Sequence, residues 1–270
     1  MRVFPCTTIA EPIEQQGVGI HTGENATVRI LPGSEGLRIR RPGEPWTPMT
    51  PDAVTSTTRC TSIAGIRTVE HLLSALMGMG VTDADIEVDG EEVPILDGSS
   101  LPWVEAVSHV GTVATGSSRT FEFRGEVRVS EEDRTVIVRP GAGGLYAVYE
   151  RWPFPGRQEL SLTFTEETYA KEIAPARTVA LEIEVEELLR AGHGRGGTPE
   201  NTLVIGADGY LTPCRFEDEP VRHKLLDCIG DLALAGVPLR FLDVACERAG
   251  HTLHVAAARA LAENLHWTER

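Results

Sequence analysis

The sequence has no apolar run approaching the roughly 20 residues needed to span a bilayer. Its first residues, Met1-Arg2-Val3-Phe4-Pro5, lack the apolar stretch of a signal peptide. Both absences lead us to expect a cytoplasmic protein with no transmembrane segment, one that meets a membrane only at its surface. Basic residues are also few: 25 Lys and Arg stand against 40 Asp and Glu, a net charge of −15. Such a surface repels a polyanion, which argues against nucleic acid as a partner, yet a small anion can still be held by a few local cations. No two cysteines form a C-x-x-C pair. Cys6, Cys60, Cys214, Cys228 and Cys246 are odd in number and scattered, which argues against a disulfide scaffold or a cysteine-rich zinc module and fits a reducing compartment. Also missing are a P-loop, an H-E-x-x-H pair, a G-x-S-x-G elbow and a dinucleotide fingerprint.

The 270 residues are 41% hydrophobic and 24% charged, enough for one large globular domain or two ordinary ones. The polar, small-residue stretch Gly111 to Thr120 reads as a linker. Before it, Thr68 to Gly78 reads as a helix with Thr68 as N-cap, Ala84 to Val88 as a strand and Leu101 to Val110 as a helix. After it, Phe121 to Val129, Arg134 to Arg139 and Leu145 to Trp152 alternate like strands. Pro220 to Ala235 then reads as a helix, Leu239 to Ala245 as a strand and Leu253 to Trp267 as a helix. Both halves end helix–strand–helix, so we expect a duplicated α+β unit, with domains at 1–116 and 117–270. Pro32 to Pro51 and Leu181 to Arg195 stand out as inserts.

The densest chemistry lies in Val221-Arg222-His223-Lys224-Leu225-Leu226-Asp227-Cys228-Ile229-Gly230-Asp231. On a helix His223 and Asp227 leave the same face, with Asp231 one turn further, beside a stripe of Leu225, Ile229 and Leu232. An imidazole and a carboxylate so placed are two-thirds of a catalytic zinc site. Alone, an H-x3-D pair is ordinarily a solvated ion pair, so other segments must supply the case for metal. His71 is the best third ligand, because Glu70 beside it is a natural general base for an activated water. Their place at a helix start puts both in an exposed first turn. His251, next to Gly250, can point into a cleft. If it lies near Asp231, that carboxylate favours the imidazolium form. Thr178 could supply a hydroxyl to an oxyanion. Gly17 to Gly23 reads as a tight turn, with His21 in a structural role.

Taken in order, Gly17 to Gly23, Thr68-Val69-Glu70-His71-Leu72, Pro94 to Ser99, Ala176-Arg177-Thr178, Gly196-Gly197-Thr198, Arg215 to Glu219, Val221 to Asp227 and Gly250-His251 resemble the UDP-3-O-acyl-N-acetylglucosamine deacetylases, the zinc amidases of lipid A synthesis. The resemblance runs from about Glu11 to His251. It implies two similar α+β domains with helices sandwiched between two outer sheets. It also implies zinc on His71, His223 and Asp227, with Fe2+ as an alternative for such a donor set. Glu70 would be the general base, His251 the cation that helps the leaving group, Asp231 its orienting partner, Thr178 an oxyanion or water ligand, and Lys224 a contact to the diphosphate of a nucleotide-sugar lipid precursor. A monomer is expected. The family commonly carries Phe-x-Phe after Arg-Thr, facing the acyl chain, whereas this chain has Val179-Ala180-Leu181. Two alternatives therefore stand beside the main reading: a deacetylase of another N-acetylated nucleotide sugar without the long acyl chain, and a non-catalytic sugar-nucleotide-binding paralogue.

Overall fold

The computed structural model describes residues 1–268. Its first half runs β1 (Arg2–Ile9), β2 (Ile13–Val18), β3 (Asn25–Pro32), β4 (Leu37–Arg40), β5 (Thr47–Pro48), β6 (Val54–Ser56), β7 (Ser62–Ile63), α1 (Glu70–Gly78), β8 (Ala84–Asp89) and α2 (Leu101–Val110). Then come β9 (Thr112–Phe123), β10 (Val127–Glu131), β11 (Arg134–Pro140), β12 (Gly144–Arg151), β13 (Gly156–Thr163), the short α3 (Glu166–Thr168), β14 (Val179–Leu181), α4 (Glu182–Arg190), β15 (Leu203–Ile205), α5 (Glu219–Leu232), β16 (Leu242–Glu247), α6 (His251–Glu263) and β17 (Leu265–Thr268).

The duplication is visible in the sheets. One has the order β2-β3-β8-β4-β5 and the other β10-β11-β16-β12-β13. In each, the last strand of the unit enters the middle. β8 is antiparallel to β3 and parallel to β4, and β16 is antiparallel to β11 and parallel to β12. A parallel neighbour requires a crossover, and a helix supplies it: α1 precedes β8 and α5 precedes β16. The two crossover helices pack on each other, α2 joins α1, and α6 joins α5 and covers β10 and β11. The fold is α+β, with helices between two sheet-rich halves.

Several expectations are corrected. The stretch read as a linker lies in strand β9, paired with β1 along one edge and, from Thr120 to Phe123, with β17 along the other, with a shift of register to β1 between Ala114 and Ser118. Its polar residues face outward while backbone pairing holds it. The region from Pro32 to Pro51, read as an insert, contributes β4 and β5 to the first sheet. Phe121 to Val129 spans the end of β9 and the start of β10. A single 3-10 turn, Leu239–Phe241, precedes β16. The last helix begins at His251 and stops at Glu263, where the chain turns into β17 to pair with β9. Thr68 does not cap α1: Val69 holds that position, and the Thr68 hydroxyl donates to Glu92.

Helix α1 is buried at all nine positions, Glu70 and His71 included, so the exposed first turn expected for them is wrong. The helix packs against α2 and α5. The contact with α5 is close because Gly230 offers no side chain. A Cβ there would run into the Glu70 carbonyl oxygen. Gly230→Ala should therefore push α1 from α5, costing about 1–3 kcal/mol of stability, with Glu70 displaced. Denaturant unfolding of the purified variant measures the loss.

Candidate metal centre and active site

Helix periodicity places His223 and Asp227 one turn apart on α5, and the packing of α1 brings His71 to them. His223 Nε2 lies 3.3 Å and His71 Nε2 3.7 Å from Asp227 Oδ1. The two rings stand edge to face with centroids 5.1 Å apart. All three residues are buried. His223 Nδ1 donates to the Ala176 carbonyl at 3.1 Å, so Nε2 carries the lone pair. Ser100 Oγ donates to the His71 carbonyl at 2.8 Å and ties that residue to the start of α2.

The electrostatics of this cluster are unusual for a protein interior. Burial pushes the His71 imidazole down to about 3, with His223 adding to the effect, and burial also lowers His223. Both rings are thus biased toward the neutral form that a metal ligand needs. Burial opposes ionisation of Asp227, but His223 and Lys224 outweigh it and hold the carboxyl well below its usual range. Asp227 Oδ1 is nevertheless buried without a hydrogen-bond donor. A buried carboxylate oxygen close to two imidazole nitrogens with a hydrogen bond to neither is costly unless a cation sits among them. The donor set fits a divalent ion of the zinc or ferrous class.

A second set of groups faces this cluster. Glu70 Oε2 accepts from the Thr61 backbone N–H at 3.0 Å, and Glu70 Oε1 lies 3.9 Å from His251 Nε2. Burial raises the Glu70 carboxyl well above its ordinary value. His251, the first residue of α6, donates through Nδ1 to Asp231 Oδ2 at 2.9 Å, and its Nε2 lies 3.9 Å from Asp227 Oδ2. Burial works against its charge, but Asp231 and then Asp227 prevail and lift its pKa to about 10. Asp231 is held in turn by the Thr61 hydroxyl at 2.5 Å and His254 Nδ1 at 3.0 Å. Lys224, one of only two lysines in the chain, donates to Asp227 Oδ2 at 2.9 Å. Thr178 lines the same cleft, its backbone N–H bonded to the Gly98 carbonyl at 2.8 Å.

All the residues singled out from the sequence thus meet in one place. Two that bear on the site were missed. Thr61 sits in a loop with no local signal. His254 had one, since H-x-x-H across the start of α6 puts it on the same side as His251. His21 is not with the ligands: its backbone N–H bonds Glu92 and its ring stands edge-on to His193.

The cleft over these groups measures ≈ 510 Å³. Ile20, Leu181, Val185, Leu188, Leu189 and Val204 make up much of its apolar lining, and Arg59, Tyr149 and Lys224 are among its polar residues. Segment 176–178 is clamped beside it by a buried ion pair. Glu219 accepts from the Arg177 side chain at 3.0 Å and from the Arg177 backbone N–H at 2.9 Å.

Imidazoles held toward the neutral form and a bare carboxylate gathered at one point, faced by a basic carboxylate and an imidazolium, define a metal-dependent hydrolase. The comparisons make the class specific. The model of the UDP-3-O-acyl N-acetylglycosamine deacetylase family matches residues 6–263, and the chain belongs to that family. It is 40% identical over 272 residues to the UDP-3-O-acyl-N-acetylglucosamine deacetylase of Trichormus variabilis, covering 94% of this chain and 97% of the relative. The enzyme of that name from Thermosynechococcus vestitus is 39% identical over 95% of this chain and 93% of its own length, and that from Brucella melitensis 38% identical over 94% of each. Among the described residues no helix is long and apolar enough to cross a membrane.

Proposed function

We propose that this protein hydrolyses the acetamide of UDP-3-O-acyl-N-acetylglucosamine, releasing acetate and the free amine, as a zinc-dependent step of lipid A biosynthesis carried out by a cytoplasmic monomer. The observation that carries the reading is the donor-less Asp227 Oδ1 between His71 and His223, with Glu70 and His251 facing it. The names of the relatives supply the substrate. In this reading the half from 1 to 116 contributes Glu70 and His71, and the half from 117 to 270 contributes His223, Asp227 and His251.

His71, His223 and Asp227 would hold the ion, Zn2+ or Fe2+. Bound there, it would supply Lewis acidity, making water a nucleophile near neutral pH and polarising the amide carbonyl. Glu70 takes the proton of the attacking water: its Oε2 is fixed by Thr61, its Oε1 is free, and its raised pKa suits a base working near neutrality. His251 keeps its proton at Nε2, because Asp231 occupies Nδ1, and delivers it to the departing nitrogen. Thr178 offers its hydroxyl to the carbonyl oxygen as charge develops there. Lys224 spends one donor on Asp227 and has two left for a diphosphate oxygen. The apolar part of the cleft takes the acyl chain, and Val179-Ala180-Leu181 occupies less of it than a Phe-x-Phe segment would.

The test is incubation with acylated UDP-N-acetylglucosamine, followed by mass spectrometry for loss of one acetyl group. An intact substrate mass beside a metal-loaded protein rules the proposal out and favours a non-catalytic paralogue. Equal cleavage of the non-acylated sugar nucleotide favours the alternative substrate. Leu188→Trp should shut part of this apolar space. Excluding about four methylenes costs about 3 kcal/mol, roughly a 200-fold fall in kcat/KM for a long acyl chain, with a short-chain substrate spared.

The pH profile is a further check. Activity requires protonated His251, so it falls as pH rises through that residue's pKa of about 10. Asp231→Asn removes the main influence raising that value. The alkaline limb of kcat should therefore move down by at least about one unit, measured with metal occupancy confirmed.

A further inference from the structure

Next to Asp231, and outside the lining of the catalytic cleft, three soft donors meet. Cys228 comes from α5, Cys246 from β16 and His254 from α6, and one ligand atom from each lies within 4.8 Å of the others. All three are buried, with exposures of 0%, 1% and 0%. None is used in the reaction described above, and Cys228 and Cys246 are both free thiols. We propose that this cluster is a second metal site, selective for a thiophilic divalent cation of the zinc class and distinct from the oxygen- and nitrogen-lined catalytic centre.

One edge of the cluster has the length such an ion requires, and the other donor atom lies within 4.8 Å of both. Cys246 Sγ and His254 Nε2 are 3.4 Å apart. A tetrahedron built on Zn–S of about 2.3 Å and Zn–N of about 2.0 Å has an S···N edge of about 3.5 Å. The imidazole is oriented for coordination, and the ion would displace the proton that Nε2 shares with Cys246. His254 Nδ1 is committed to Asp231 Oδ2 at 3.0 Å, so Nε2 is the coordinating nitrogen, and a carboxylate behind a histidine ligand is the usual support for one. Charge favours a divalent ion in a closed interior. Two thiolates neutralise it, and no net charge is added to the core. Three protein donors leave one position for a small exogenous ligand. The site also ties together three elements, of which α5 and α6 already share the hydrogen bonds of Asp231 to His251 and His254. Asp231 joins it to the catalytic cleft, because the same Oδ2 accepts from His251 at 2.9 Å.

The experiment uses the full-length protein, stripped of metal, reduced with a non-chelating phosphine and titrated with Co2+ to excess. A thiolate-to-cobalt charge-transfer band in the near ultraviolet, saturating at one sulfur-bound ion per chain, is the expected result. The His71/His223/Asp227 site has no sulfur and cannot produce it. Cys246→Ser should abolish the band, Cys228→Ala and His254→Gln should weaken its binding at least about 10-fold, and His223→Ala should leave it intact. Circular dichroism confirms that each variant is folded. If Cys246→Ser fails to fold, the other two variants decide. Folded, reduced wild-type protein that shows no such band under excess Co2+, or an affinity for the band-forming ion that is unchanged in both Cys228→Ala and His254→Gln, overturns the proposal. Because the readout is spectroscopic, it stands or falls separately from deacetylase activity.

Discussion

Asp227→Asn should yield a folded protein that no longer retains its divalent cation through dialysis, with deacetylase activity lost along with it. Asp227 supplies the only negative charge among the three candidate ligands, and its Oδ1 has no other partner. The isosteric amide keeps the volume but offers a neutral oxygen, and its NH2 can donate to an imidazole lone pair that the ion would have taken. The loss in metal affinity should exceed the 10- to 100-fold typical when a residue behind a ligand is changed, so at least about 100-fold. Elemental analysis after dialysis gives the occupancy, and unfolding in the metal-free state shows that the fold survives. Lys224 loses its charged partner but is a quarter exposed and can turn to solvent. Full metal occupancy in this variant would remove Asp227 from the ligand set. The assignment of His71 and His223 would then have to be redrawn as well.

The residues of the site were legible in the chain, whereas their burial was not. His223 and Asp227 stand at helical spacing, and the order of the motifs announced the family. That two crossover helices would bury Glu70 and His71 against each other follows from the repeated topology, which no short window contains. The periodicity of α1 gives no warning, because a helix covered on every side has no polar face to reveal it. Strand β9 fails for the opposite reason. Thr112 to Ser118 is largely exposed, and its composition reads as a connection until β1 and β17 are seen to flank it. The end of the chain shows a third limit. Leu265 and Trp267 would extend a helical pattern, yet pairing with β9 takes four residues away from α6. Thr61 was invisible for want of any pattern at all: a lone loop threonine acquires meaning only from Glu70 and Asp231 in space.

Glu70→Gln tests the chemical step itself. Gln preserves the size of the side chain and an oxygen to accept from the Thr61 N–H, and it leaves His71, His223 and Asp227 untouched. Metal occupancy should therefore stay at the wild-type level and KM should change little, while kcat falls about 100- to 10,000-fold, the range supplied by a positioned general base. The pH profile sharpens the test. Burial holds the Glu70 carboxyl well above its ordinary range, so the wild-type rate should fall as pH drops through that raised value and the carboxylate takes up a proton before it can accept one from water. In the variant that acid limb has no group to produce it. The residual activity should run flat into the acid region until protons begin to displace the metal from its imidazoles. If the slow residual reaction keeps the wild-type acid limb, the titrating base is another group and Glu70 only shapes the pocket. If kcat is unchanged with the metal in place, the proton of the attacking water goes elsewhere, and the Glu70–His251 division of labour between base and acid is wrong.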